Sequence, residues 1–166
     1  MLSRLWRIIV LRLKGGSRVS PWAQERRVEP RFGDDHRHAI VQSILRGRCW
    51  VIDGDTIVIN DVRIRLAGID APELDHPHGK QSKWALVRLC KGRTITAHIL
   101  PELSYDRVVA QCFLPDGRDI AAELVRCGLA IDWPKFSGGK YTHLEQPDAR
   151  RKLWRADARQ KGRLRL

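Results

Sequence analysis

No Cys-x-x-C pair occurs in this chain, and none of Cys49, Cys90, Cys112 and Cys127 lies a short step from a histidine. A zinc site is therefore not expected. Cys49 and Cys112 fall in strand-like runs and Cys90 and Cys127 in helix-like ones, so all four read as buried thiols, although the even count leaves disulfides open. Long apolar runs are missing too. The segment 4–14, RLWRIIVLRLK, is interrupted by Arg4, Arg7, Arg12 and Lys14. That excludes a membrane span and makes a poor export signal. At helical spacing the four charges gather on one side. A helix on a membrane surface, a helix docked on the body, a degenerate signal and disorder all stay open for it.

Acid is scarce at both ends. Residues 1–47 hold ten Lys and Arg against four acids, and residues 150–166 hold eight against one, within an overall net charge of +12. The stretch between them is close to neutral. Such ends suit a polyanion, either nucleic acid or an anionic membrane, although basic tails also serve solubility alone. A length of 166 residues, 43% apolar and 30% charged, is that of one ordinary globular domain. Residues 18–38 lack periodicity and carry Pro21, Pro30 and Gly33. The chain thus divides into a basic N-terminal extension, 1–38, and a folded domain, 39–166, ending in a basic helix.

What is abundant is acid within one stretch. Cys49 to Glu73, CWVIDGDTIVINDVRIRLAGIDAPE, holds Asp53, Asp55, Asp61, Asp70 and Glu73 with Arg63 and Arg65. Val51, Ile57, Ile59, Val62, Ile64 and Leu66 alternate through it, predicting a strand, a tight turn at Asp61 and a returning strand. Carboxylates gathered this closely need arginines or a divalent cation as counter-charge. Further on, a helix is predicted from about Gly79 to Lys91, a strand over 94–100, a loop from Pro101 and a strand over YDRVVAQCFL. PDGRD at 115–119 reads as a turn, and a short helix follows between Asp119 as N-cap and Gly128 as C-cap. From about Asp148 a basic helix runs to Gly162, with Arg151, Arg155 and Arg159 on one stripe, either solvated or against phosphates. Leu153, Trp154 and Ala158 are its body-facing candidates.

VIDGDTIVI followed by RIRLAGIDAPE closely resembles the signature of the staphylococcal-nuclease-like (thermonuclease) family. YDRVVAQC and ELVRCGLA resemble its later strand and second helix, so the resemblance spans roughly residues 46–160. It implies a mainly β, α+β fold: a five-stranded Greek-key barrel of the oligonucleotide/oligosaccharide-binding (OB) type with about three helices. It implies a Ca²⁺-dependent nuclease, with Mg²⁺ as the other candidate, acting on DNA or RNA and leaving a 3′-phosphate and a 5′-hydroxyl. Asp55, Asp70 and the Ala71 carbonyl match its metal ligands, and Asp53 a supporting residue. Glu73 matches the residue that manages the attacking water, and Arg65 and Arg107 the phosphate-binding arginines, whose paired donors suit phosphoryl oxygens. Tyr105 matches a tyrosine near the nucleotide phosphate, and Arg151 and Arg155 are candidates for backbone contact.

Departures from the family are visible at Leu103, Ser104 and Asp106, and the tyrosine pair of its nucleotide pocket is missing. Trp133, Phe136 and Tyr141 stand in that region, for base stacking or for core packing. Asp61 reads as a solvated turn former, Arg63 as an electrostatic neighbour, and Asp75, His76 and His78 as a solvated loop rather than a metal cluster. A barrel that holds nucleic acid without cutting it is the alternative function. The expected state is a monomer, intracellular or membrane-associated, with export not excluded.

Overall fold

The computed structural model describes residues 44–104 and 107–164. The segment 4–14, the division at 38/39 and Tyr105 lie outside them. Six strands form one sheet: β1 (Ile44–Gly47), β2 (Cys49–Val51), β3 (Thr56–Ile59), β4 (Val62–Leu66), β6 (Ile95–Ser104) and β7 (Arg107–Phe113), in the order β1-β6-β7-β4-β3-β2. Every neighbouring pair is antiparallel except β4 with β7. The two strands at the ends of this order, β1 and β2, are separated in sequence by Arg48 alone. They act as one bent strand that pairs with β6 on one side and β3 on the other. Counted that way, the sheet is five strands in the order 1-2-3-5-4-1, which is the expected OB-type architecture.

Alternation decides which side chains enter the barrel. Ile57 and Ile59 of β3, Ile64 and Leu66 of β4, and Ala110 and Cys112 of β7 point inward and are almost fully buried. Each large aliphatic side chain buried in this way contributes about 1.5–3 kcal/mol. The period of two therefore sends Thr56, Arg63, Arg65, Arg107 and Val109 to the opposite face. The β3–β4 turn is Asn60-Asp61, both at positive φ (48° and 63°), with Ile59 opposite Val62. This is the two-residue hairpin geometry that matches strand twist.

Two helices close the core: α1 (Gly79–Cys90), with Ala85 and Leu86 inward, and α2 (Ile120–Arg126), with Leu124 and Val125 inward. Asp119 caps α2 as expected, accepting from the Ala121 and Ala122 amides. A second small sheet pairs β5 (Ile69–Asp70) with β8 (Ile131–Asp132), setting Asp70 opposite Ile131. The chain continues through α3 (Pro134–Ser137), a 3₁₀ turn at Thr142–Leu144, α4 (Ala149–Lys152) and α5 (Trp154–Gln160).

Several expectations are corrected. The basic helix from Asp148 is two helices, because Leu153 leaves helical geometry (φ −99°, ψ 41°). Leu153 sinks beside Ile131, Ala149 and Ala156 in a small core of its own, and packing there outweighs helix continuity. Trp154 is half exposed rather than body-facing. No loop begins at Pro101; β6 runs through it, tolerated because the register slips between Ile99 and Leu103 and no ladder amide is needed there. The four thiols are free, and Cys127 is exposed, at the end of α2.

Candidate active site

Four elements bring the motif residues together. Thr56 on β3 stands opposite Arg65 on β4, and Arg65 opposite Val109 on β7, two residues from Arg107 on the same face. Arg107 Nη1 donates to Thr56 Oγ1 (3.2 Å), and Thr56 Oγ1 donates to Asp55 Oδ1 (3.0 Å). Asp53 holds the approach to β3 by accepting the Asp55 amide (3.0 Å). Gly54 permits the loop to touch the second motif: a Cβ on it would lie 2.7 Å from the Ala71 Cβ and 2.8 Å from the Ser82 Cβ.

Asp55 and Asp70 are both buried, on either side of Arg65. Arg65 Nη2 lies 3.0 Å from Asp55 Oδ2 and 3.7 Å from Asp70 Oδ1. Neither contact has hydrogen-bond geometry, so this buried Nη2 keeps an unused donor. Burial pushes the Asp55 carboxyl up to about 6; Arg65 opposes this, while Asp53 and Asp70 add to it. Burial also raises Asp70, against the hydrogen bonds and charge of Arg159. The Arg65 guanidinium lies 5.6 Å from the Trp133 ring centroid, and Phe136 meets that ring edge-on. Tyr141, by contrast, is buried and donates to Asp119, which makes it core.

Arg159 is the residue sequence reasoning missed. On the basic stripe it was expected to face solvent or phosphate; instead it points into the site. Its Nε donates to Asp70 Oδ2 (3.2 Å), its Nη2 to Asp70 Oδ1 and to the Ala71 carbonyl (3.0 Å for the latter), and its Nη1 to Glu73 Oε1. The reason is local. Leu153 and Ala156 pack on Ile131, the β8 partner of Asp70, and Arg159 lies three residues beyond Ala156 on the same helix face. Burial works against its charge, but Asp70 and Glu73 outweigh that and hold the guanidinium above its ordinary value. Nearby, Arg150 ties this end of the chain together through Glu145, Asp157 and the Asp132 carbonyl.

The remaining candidates lie at the edge of this cluster or beyond it. Glu73 is exposed at its rim. Arg151 is exposed, and Arg155 lies 5.3 Å from the Trp154 ring centroid; the break at Leu153 separates Arg151 from Arg155 and Arg159, which share α5. His76 Nε2 lies 3.9 Å from Asp75 Oδ1, and His78 Nδ1 lies 3.0 Å from Gln81 Oε1. Among the described residues no three His, Cys, Asp or Glu side chains converge on a cation position. The oxygen set on offer is two carboxylates and a carbonyl, from Asp55, Asp70 and Ala71. Hard oxygen donors of this kind suit Ca²⁺ or Mg²⁺, with water and phosphate completing the shell. The set fits the family's cation in chemistry, and in this structure guanidinia provide its counter-charge.

Comparison with known proteins points to one family. Residues 63–161 match the family described as staphylococcal nuclease homologue. An "Uncharacterized endonuclease" of Escherichia coli is 35% identical over 111 residues, covering 63% of this chain and 72% of that protein. "Probable endonuclease LCL3" of Phaeosphaeria nodorum is 34% identical over 102 residues, 55% of this chain and 34% of its own length. "Probable staphylococcal-like nuclease CAN1" of Oryza sativa subsp. japonica is 30% identical over 112 residues, 65% of this chain and 33% of its own.

Proposed function

This chain belongs to the staphylococcal nuclease homologues, and from that premise we propose that it hydrolyses phosphodiester bonds of DNA or RNA with a divalent cation, Ca²⁺ or Mg²⁺. The observation that carries this reading is the unused donor of Arg65, buried between Asp55 and Asp70, with Arg107 tied to the same loop through Thr56. Two guanidinia on one face can donate to the equatorial oxygens of a phosphoryl group and stabilise the charge that grows there. Asp55, Asp70 and the Ala71 carbonyl would hold the cation. When bound, it supplies further positive charge to the phosphate and polarises water.

Glu73 sits at the exposed rim, where its carboxylate can orient a water and accept its proton. In this structure Arg159 Nη1 donates to one oxygen of that carboxylate, Oε1. Asp53 acts one step back, fixing the loop that carries Asp55. Tyr105 is assigned to the nucleotide phosphate, and Arg151 and Arg155 to the backbone beyond it, where contacts would weaken with salt. The product would carry a 3′-phosphate and a 5′-hydroxyl.

Holding nucleic acid without cutting it is the second reading, favoured by Arg159 occupying Asp70, the Ala71 carbonyl and Glu73 at once. One assay separates the two. Single-stranded DNA, duplex DNA and RNA are offered to the purified chain with Ca²⁺, with Mg²⁺ and with EDTA, beside Glu73→Gln and Arg65→Ala. Cleavage that needs the cation and falls about 10²-fold or more in both variants supports the nuclease. Intact nucleic acid, bound equally well by all three proteins, overturns it.

A further inference from the structure

Arg159 is held in a way that its position near the chain end does not require. One guanidinium meets four acceptors on three residues, both oxygens of Asp70, the Ala71 carbonyl and Glu73 Oε1, and its side chain is only 13% exposed. Two of those residues are the ones that would hold the cation. Asp70 is fully buried, so it cannot turn to water to serve a second partner. We infer that Arg159 is a tethered counter-cation, a latch that competes with the divalent cation for Asp70 and the Ala71 carbonyl, so that metal entry and withdrawal of this side chain are one event. The inference rests on the proposed cation site.

Charge and geometry argue the same way. Arg65 lies between Asp55 and Asp70, and Arg159 pairs with Asp70 and Glu73, so each of these three carboxylates already meets a guanidinium. A divalent ion brought to Asp70 and the Ala71 carbonyl would meet the Arg159 guanidinium on the same oxygens, and like charges at that distance repel. The planar fork is what allows one side chain to span two carboxylates and a carbonyl, and a lysine cannot reproduce it. The lever is at hand. Arg159 sits on α5, which is anchored in the small core by Leu153 just before it and Ala156 within it, and which the Arg150–Asp157 pair fastens separately. Its side chain can therefore leave without α5 losing its seat. A cation thus performs two acts together: it takes Asp70 and frees Glu73 from its arginine.

The test measures binding rather than turnover. Ca²⁺ is titrated calorimetrically into the full chain, without nucleic acid, for wild type, Arg159→Gln and Arg159→Lys, and thermal unfolding is followed in EDTA and in Ca²⁺. A latch that is closed most of the time lowers apparent affinity by the fraction open, so Arg159→Gln is expected to bind Ca²⁺ ~10-fold tighter or more. Arg159→Lys, which keeps the charge but loses the fork, is expected between the two. In EDTA Arg159→Gln unfolds at a lower temperature than wild type, and Ca²⁺ raises its midpoint by more. Equal affinity in wild type and Arg159→Gln overturns the latch, as does a gain in Arg159→Gln with Arg159→Lys left at the wild-type value, which is charge alone. Absence of Ca²⁺ uptake by all three overturns it too, while cleavage by wild type against Arg65→Ala and Glu73→Gln still judges the nuclease reading by itself. Should Arg159→Gln not fold, Arg159→Lys carries the test alone: tighter Ca²⁺ binding than wild type supports the latch, and equal affinity overturns it.

Discussion

Gly54 lies against Ala71 so closely that a Cβ on the glycine would sit 2.7 Å from the alanine's own. The two motif loops are in van der Waals contact there, and this contact sets how far Asp55 stands from Asp70. Gly54→Ala must push the loops apart. The expected cost is about 1–3 kcal/mol, seen in denaturant unfolding. Cleavage should fall more steeply than stability, because the displaced atoms carry the carboxylates.

Arg65 does two jobs that mutagenesis can separate. Removing it leaves Asp55 and Asp70 buried with less counter-charge, which costs about 3–5 kcal/mol for a well-buried pair. Arg65→Ala should therefore lose stability as well as cleavage. Adding Asp55→Asn to Arg65→Ala should return part of the stability and none of the cleavage. Additive losses in a double-mutant cycle would show that the two side chains do not act as a pair.

The β3–β4 turn offers a stabilising change. Asp61 has φ 63° and is exposed, so its Cβ is paid for in strain and does no packing. Asp61→Gly removes that strain and should raise stability by up to about 1 kcal/mol. Asp61→Val should lower it. Both changes lie at the turn, at the other end of the hairpin from Thr56 and Arg65, and should leave any Ca²⁺ affinity unchanged, which calorimetry would check.

Acid should loosen the C-terminal segment. Burial raises the Asp157 carboxyl, but Lys161 and Arg150 outweigh it and hold it below its ordinary value of 3.8. A folded-state pKa below the unfolded one gives stability that is present above 3.8 and lost as pH falls through the lower folded value. Asp157→Asn should be less stable than wild type at neutral pH, and the gap should shrink on acidification below that point. Thermal unfolding across the range would show it; a gap independent of pH would rule out the ion pairs as its source.

The parts of this fold that sequence revealed are those governed by local chemistry. Alternating Ile57, Ile59, Ile64 and Leu66 gave the hairpin, Asp119 the cap, and the two acidic motifs the cluster around Arg65. What stayed hidden depends on packing between distant segments. Nothing in KLWRA marks a helix break, since no glycine or proline stands there; Leu153 breaks the helix because Ile131 and Ala149 offer it a place. With the break went the assumed stripe, and with the stripe the position of Arg159. Pro101 misled in the opposite sense, because a register shift removed the hydrogen bond it could not make. Cys127 and Trp154 were apolar by type and half-exposed or exposed by placement.

The joining of Arg159 to Asp70 across 89 residues also fixes a sequence in time. A chain made from its N-terminus completes the β3–β4 hairpin, Asp55 and Asp70 long before α5 exists. Until residue 159 emerges, Asp70 and Glu73 lack the guanidinium that meets both of them in the finished protein. A cation present during synthesis would meet those carboxylates without that competitor. The finished protein would have to be opened to give it the same welcome.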